Sequence, residues 1–365
     1  ATDSRQRKHE DVRRKEESLM GTARSTRRGR IAASVLAATT LVVAGCGGGG
    51  TPEGGTTETV KLTVATSQNE QTPNYYCGVE LLQKRLHEAN VGFTVELFPA
   101  SQLGPDADRF PLVQAGDIDI DLQGASALSS TYEPIGVVDA AYAFNDTDHA
   151  FNWIDKGSEG LFSSFQEATG VKIVDGWFFG NRTFTTKDVE VRKPDDLKGV
   201  AIRFPNSPAF LANAEALGVT NPVSVAVEEL YTALQQGIAV GQENPIVATR
   251  SSSYDEVLNV AVLNNHNVGI HWILVSGKTY EKMNDEQAAL LEKTIHDIRQ
   301  ENRDCVDEAT KKILDEYRAN TKFTVIEQQD IDMEAFISKA EAYFNNRFTG
   351  ETLEQYKAIR ELAGQ

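Results

Sequence analysis

The chain is poor in the residues and patterns by which catalytic proteins are usually recognised. Its 365 residues contain no HExxH, no GxSxG and no Walker-type phosphate loop, which removes the motif-based case for a zinc protease, a serine hydrolase or a P-loop enzyme. The six histidines are scattered. His266 and His271 are five apart, which puts them on opposite faces of a strand and off a common helical face, so they make a poor metal pair. Three cysteines are too few for a disulfide-built scaffold or a four-cysteine zinc site. Positive charge is also scarce. Lys and Arg number 36 against 53 Asp and Glu, and the first 46 residues hold ten of the basic ones and only five of the acidic. Beyond Cys46 the balance is 26 to 48, a net charge of −22. Such a surface repels phosphate backbones and anionic headgroups, so nucleic-acid binding and membrane docking through a basic patch are excluded. No apolar run outside the amino-terminal region approaches 18 residues, and there is no internal repeat.

The amino-terminal region carries a targeting pattern. Arg24, Arg27, Arg28 and Arg30 precede the apolar run IAASVLAATTLVVAG, which is short for a bilayer span and the size of a signal-peptide core. Val43 to Cys46 resemble a bacterial lipobox, which implies lipidation at Cys46 and an extracytoplasmic chain anchored to the outer face of the cell membrane. The organisation expected is an upstream extension at 1–19, a lipoprotein signal peptide at 20–45 and a Gly/Thr-rich tether at 46–58. Two cysteines, Cys77 and Cys305, then remain in an oxidising compartment, either bridged or as two separate buried thiols.

From Val60 onward, β-branched and alternating segments change places with helical ones. VKLTVAT reads as a strand, Thr72-Pro73 opens a helix carrying Tyr75, Val79, Leu82 and Leu86, and FTVELF is a second strand. A helix from Gly104-Pro105 to Gly116 and a strand at Ile118–Leu122 follow. This alternation predicts an α/β lobe with a parallel sheet. Strands at Val171–Trp177, Arg182–Thr186 and Val200–Phe204 and helices at Ser207–Leu217 and Ala226–Gln236 suggest a second lobe. Ile270–Ser276 reads as a buried strand. A helix opened by Asn284, with Gln287 three residues on, runs to about Asn320; at about 50 Å it should span both lobes. A strand in KFTVIE and helices after Asp330 and Thr349 complete the chain. The lobes are expected at 59–179 plus about 270–310, and at 180–269 plus about 311–365.

The stretch from Trp177 to Pro245 is the most informative. It holds Gly-x-Arg at 180–182, PDDLKG at 194–199, Ile-Arg-Phe-Pro at 202–205, Glu-x-Tyr-x-Ala-Leu-Gln at 229–235 and GQENP at 241–245. FPASQLG at 98–104 and Gly-Asp-Ile-Asp at 116–119 precede them. In this order and spacing the motifs resemble the extracytoplasmic substrate-binding subunits of tripartite ATP-independent periplasmic (TRAP) transporters, of the dicarboxylate-binding type, and the likeness covers nearly everything from Val60. The resemblance implies a two-lobe periplasmic-binding-protein-like fold with a long helix spanning both lobes. It also implies capture of a small organic acid, delivery to a small and a large membrane permease subunit, no cofactor and no metal, and no enzymatic step. A ligand-sensing partner of a membrane receptor would share every binding motif. An exported hydrolase would need a nucleophile and base, and the sequence offers no recognisable pair.

Arg203 ends an apolar strand, where an unpartnered arginine is costly to bury, so it either pairs with a protein carboxylate or awaits an anion. The resemblance makes it the carboxylate clamp. Arg182 on an alternating strand reads as exposed; the resemblance places it in the cleft as a second cation, and two facing arginines would repel until a ligand arrives. Asn244 is held extended by Pro245 and reads as a turn residue, while the resemblance has it bond the same carboxylate. Val227 stands where many relatives carry an aromatic residue. Trp177, Phe204, Tyr132 and Trp272 are candidates to line the cleft in its place, with Ser126, Gln68 and Asn69 as polar loop candidates.

Overall fold

The computed structural model describes residues 59–363. The upstream extension, signal peptide, Cys46 and the tether to residue 58 lie outside the described residues. The chain begins with β1 (Val60–Thr66), a π-helical turn at Tyr75–Val79 running into α1 (Glu80–Glu88), then β2 (Phe93–Phe98), α2 (Asp106–Ala115) and β3 (Ile120–Gln123). Three helices follow: α3 (Ala125–Leu128), α4 (Thr147–Lys156) and α5 (Glu159–Thr169). Then come β4 (Val171–Thr186), β5 (Ala201–Phe204), α6 (Pro208–Leu217), β6 (Asn221–Ser224), α7 (Val227–Gln235), β7 (Gly241–Pro245) and α8 (Ile246–Ser251). The remainder is β8 (Val260–Ser276), α9 (Gly277–Tyr280), α10 (Asp285–Ala319), β9 (Thr324–Ile326), α11 (Met333–Arg347) and α12 (Gly350–Glu361).

One mixed sheet runs through the protein in the order β2-β1-β3-β8-β4-β7-β5-β6, with β9 on the side of β8. The parallel triplet β2-β1-β3 and the parallel set β7-β5-β6 form two halves, each flanked by its own helices. Antiparallel β4 and β8 join them, giving the α/β two-lobe fold. The separate strands expected at Val171–Trp177 and Arg182–Thr186 are one strand of 16 residues, because the residues between them stay in the ladder through a bulge at Gly180. Phe178 pairs with Ile270 and, after a register shift, Gly180 pairs with Gly269. Residues 180 and 269, next to which the lobe boundaries are expected, thus meet at one point along the two long strands. Glycine is required on both sides of it. Gly180 has φ +119° and a Cβ there would sit 2.7 Å from Pro245 Cβ, while a Cβ on Gly269 would meet the Gly180 carbonyl oxygen at 2.6 Å.

The long helix extends for 35 residues, about 50 Å, and begins with a reciprocal capping box between Asn284 and Gln287. Its Leu291, Ile295 and Ile298 pack with Leu62, Val64 and Trp177 in the first half, whereas Tyr317 joins Ile246, Ala261 and Leu263 in the second. A disulfide links Cys77 in the π-helical turn to Cys305 on this helix. Among the described residues, no helix is long and apolar enough to cross a membrane.

Candidate functional site

Strand order explains why motifs far apart in sequence converge. β7 lies between β4 and β5, with Thr183 paired to Asn244, Phe184 to Glu243 and Arg203 to Gln242. Arg182, Glu243, Asn244 and Arg203 therefore gather on three adjacent strands. Arg182, Arg203 and Asn244 line a cleft of about 300 Å³ whose other wall includes Gln68, Asn69 and Ser126. That volume is at the small end of ligand sites.

Arg203 is 2% exposed and makes no ion pair among the described residues. Its Nε and Nη2 donate to the Val225 carbonyl at 3.0 and 2.8 Å. A guanidinium has five N–H donors, so the Nη1 pair and one Nη2 hydrogen remain, which preserves a two-pronged end. Burial lowers its pKa to about 10, with the nearby Glu243 charge opposing, so it stays protonated at neutral pH.

Arg182 is different. It is 7% exposed, so the plain expectation of an exposed arginine is corrected. Its Nε donates to Glu243 Oε2 at 2.6 Å and its Nη2 to Oε1 at 2.7 Å and to the Glu243 carbonyl at 2.9 Å. The guanidinium also lies 4.6 Å from the centre of the Phe210 ring. Burial alone would push the Glu243 carboxyl up, but Arg182 and a hydrogen bond from His266 Nε2 hold it below the usual carboxylate range. Arg182 thus lines the cleft with its charge already matched. Glu243 lay inside the GQENP motif, but its residue type alone does not say which arginine it faces.

Asn244 sits in a strand rather than a turn, and its Nδ2 donates to Gln242 Oε1 at 2.6 Å. Gln242 in turn donates to Thr249 Oγ1 at 3.1 Å, which fixes the amide's orientation. Three further residues line the cleft that sequence reasoning did not single out for it: Asp139, Asn267 and His271. Asp139 is buried and its Oδ2 accepts the Ser126 backbone N–H at 2.7 Å. Burial pushes its pKa up to about 6, against the opposing effects of that hydrogen bond and of Arg182. His271 stacks on Phe179 with ring centres 4.1 Å apart; burial, followed by the charges of Arg182 and Arg109, pushes its pKa down to about 3.

Residues 64–351 match the family described as bacterial extracellular solute-binding protein, family 7. The chain belongs to this family. It is 28% identical over 250 residues to the 2,3-diketo-L-gulonate-binding periplasmic protein YiaO of Escherichia coli K12, covering 68% of this chain and 76% of that one. It is 25% identical over 225 residues to the sialic acid-binding periplasmic protein SiaP of Vibrio cholerae, covering 61% and 70%. A TRAP periplasmic solute-binding protein from Haemophilus influenzae RdAW, crystallised with L-gulonate, superposes with a TM-score of 0.75 at 21% identity, covering 83% of this chain and 99% of that one. At that identity the superposition establishes the fold.

Within this solute-binding protein the aromatic candidates are corrected. Trp177 is fully buried, donates its indole N–H to the Ile295 carbonyl at 3.0 Å and does not line the cleft. Phe204 follows Arg203 on a strand, so it faces the other way, into the core, edge-on to Phe184. Trp272 packs edge-to-face with Trp153 and Phe162, and Tyr132 with Phe165. The aromatic residues on the cleft are Phe179, Phe210 and Tyr254, with Val227 beside them. Gln68, Asn69 and Ser126 reach the cleft, but the Asn69 amide is occupied: Nδ2 donates to the Ser251 carbonyl at 3.0 Å, and Oδ1 accepts from Gln71 N–H and the Thr72 hydroxyl. Two further bonds bridge the halves, Thr72 Oγ1 to Ser251 Oγ at 3.1 Å and Ser101 Oγ to Glu228 Oε1 at 2.7 Å.

Proposed function

We propose that this chain is the extracytoplasmic solute-binding subunit of a TRAP transporter, capturing a small organic acid and delivering it to small and large permease subunits without breaking a bond. One observation carries this reading: Arg203 is a buried cation with a free two-pronged end in a cleft and makes no ion pair with a carboxylate among the described residues. Leaving such a charge uncompensated is costly, and an anionic ligand removes the cost. Asn244 supplies a further N–H beside it. The names of YiaO and SiaP describe acid binders, which supports the same class of ligand. Capture involves closure of the lobes about the β4–β8 crossing, since the polar groups of the cleft come from both halves and bonds already bridge them. Cys46 holds the protein to the outer face of the membrane through lipid.

The test is a thermal-shift screen of organic acids against the purified protein. An acid present at 100 times its dissociation constant should add ~2.7 kcal/mol of stability. If no carboxylate of any class shifts the transition while neutral sugars or amines do, the anion-binding reading fails.

A further inference from the structure

The cleft is chemically two-ended. One end presents donors, the free guanidinium edge of Arg203 and the Nδ2 of Asn244. The rest of its polar lining includes three side chains with acceptor capacity left over among the described residues. Asp139 contributes a carboxylate that makes no ion pair among the described residues. Asn267 donates its Nδ2 to the Asp139 carbonyl at 2.8 Å, which leaves its Oδ1 as acceptor, and that buried oxygen has no hydrogen-bond partner among the described residues. A buried polar atom without a partner costs about 1–3 kcal/mol, so an unmatched acceptor beside a ligand cleft points to a donor on the ligand.

The third acceptor follows from tautomer logic. Asn74 Nδ2 donates to the Phe178 carbonyl at 2.9 Å and to Asn302 Oδ1 at 3.3 Å, so its Oδ1 is the acceptor side. His271 Nδ1 lies 2.8 Å from that oxygen and must carry the hydrogen. With the ring neutral, Nε2 is left with a lone pair on a side chain that lines the cleft.

From this arrangement we infer that the ligand is a hydroxylated monocarboxylate: its carboxylate lies on Arg203 and Asn244, and its hydroxyls donate to Asp139, Asn267 and His271. A second carboxylate at the far end of the ligand would carry no donor hydrogen at neutral pH, would meet the Asp139 carboxylate as a like charge, and would find the other arginine already matched by Glu243. An unsubstituted fatty acid would bring no donor to any of the three. This inference rests on the organic-acid reading and narrows it.

The test is calorimetry at pH 8, where Asp139 is ionised, with three matched series. The first is erythronate, gluconate and galactonate; the second is their far-end oxidised counterparts tartrate, glucarate and galactarate; the third is butyrate and hexanoate. The best hydroxylated monocarboxylate should bind at least tenfold tighter than its dicarboxylate counterpart and than the unsubstituted acids. Equal or tighter binding of a dicarboxylate or a fatty acid overturns the inference while leaving the organic-acid reading intact. Failure of every acid in all three series, with none found by the wider screen, overturns both. Asp139→Asn supplies an independent arm. The Asn Oδ1 can keep the Ser126 N–H bond while Nδ2 turns a donor into the cleft, so the preference for the monocarboxylate over its dicarboxylate should fall at least tenfold. An unchanged preference in a folded variant also overturns the inference, and the wild-type comparison stands even if that variant does not fold.

Discussion

Replacing Arg203 by lysine separates charge from geometry. Lysine keeps a positive charge on a flexible stem but cannot present two parallel donors, nor can one ammonium hold the Val225 carbonyl and grip both oxygens of a carboxylate as the guanidinium can. In the native protein, Nε and Nη2 anchor the side chain on Val225, and the remaining Nη1 and Nη2 hydrogens form the free prong. Hydrogen bonds to charged groups are worth about 1.5–3 kcal/mol each, and the lysine keeps part of one of the two. The expected loss is roughly 2–4 kcal/mol, or about 30-fold to 1000-fold in affinity. Titration calorimetry with the acid found by screening measures it, and circular dichroism checks that the variant is folded. Affinity within a few-fold of wild type in Arg203→Lys would show that the ligand carboxylate lies elsewhere, and would remove the clamp from Arg203.

The remaining predictions test the surroundings of that cation. Glu243→Gln leaves Arg182 buried without its partner and should cost about 3–5 kcal/mol of stability by chemical denaturation; a loss below about 1 kcal/mol would mean the pair is solvated rather than buried. Asp139 has its folded pKa raised from 3.8 to about 6, so its favourable contribution is complete below pH 4 and is lost as pH rises through 6. Relative to Asp139→Asn, the wild-type protein should therefore lose about 2.5 kcal/mol of stability between pH 4 and pH 7.5, and a pH-independent difference would place Asp139 in solvent. Small-angle scattering should show a smaller radius of gyration with saturating acid than without, and an identical curve would mean a preformed pocket and no lobe closure.

Much of the fold was legible because its signals are local. The capping box at Asn284 and Gln287, the left-handed glycines after α2 and α6, and the strand-helix alternation after Val60 each act within a few residues. What escaped was set by distant partners. Strand β4 looks like two strands because a glycine and an asparagine interrupt it, and only pairing to β8 along its length keeps it continuous. Helix α4 is tied to the far end of the chain, where His149 Nε2 lies 2.8 Å from the Ile359 carbonyl oxygen. The same division holds in the site. Arg203 and Asn244 stood out because motif and residue type agree. Asp139, Asn267 and His271 did not, since Asp139 is more than 120 residues from the other two, which share β8, and the cleft they line exists only in three dimensions. The aromatic candidates were misplaced because strand alternation reveals opposite faces without saying which one is core.

The pairing of Arg182 with Glu243 also changes how the empty protein should be understood. Two unpaired arginines on the strands flanking β7 in one wall would repel until an anion arrived. With Glu243 matching Arg182, most of this term disappears, and Arg203 is left as the cleft arginine without an ion pair among the described residues, one charge for one carboxylate. The long-range field of a chain with a net charge of −22 beyond Cys46 opposes an incoming anion, but it is screened over about 8–10 Å at physiological salt, while the buried guanidinium acts at contact in a low-dielectric cleft. The cost that favours opening of the empty state is then the dehydration of Arg203 itself. Water can solvate its free prong when the lobes part, and a carboxylate can replace that water when they close. On this account the ligand drives closure by substituting for solvent at a single buried charge, and the rest of the cleft selects which carboxylate is accepted.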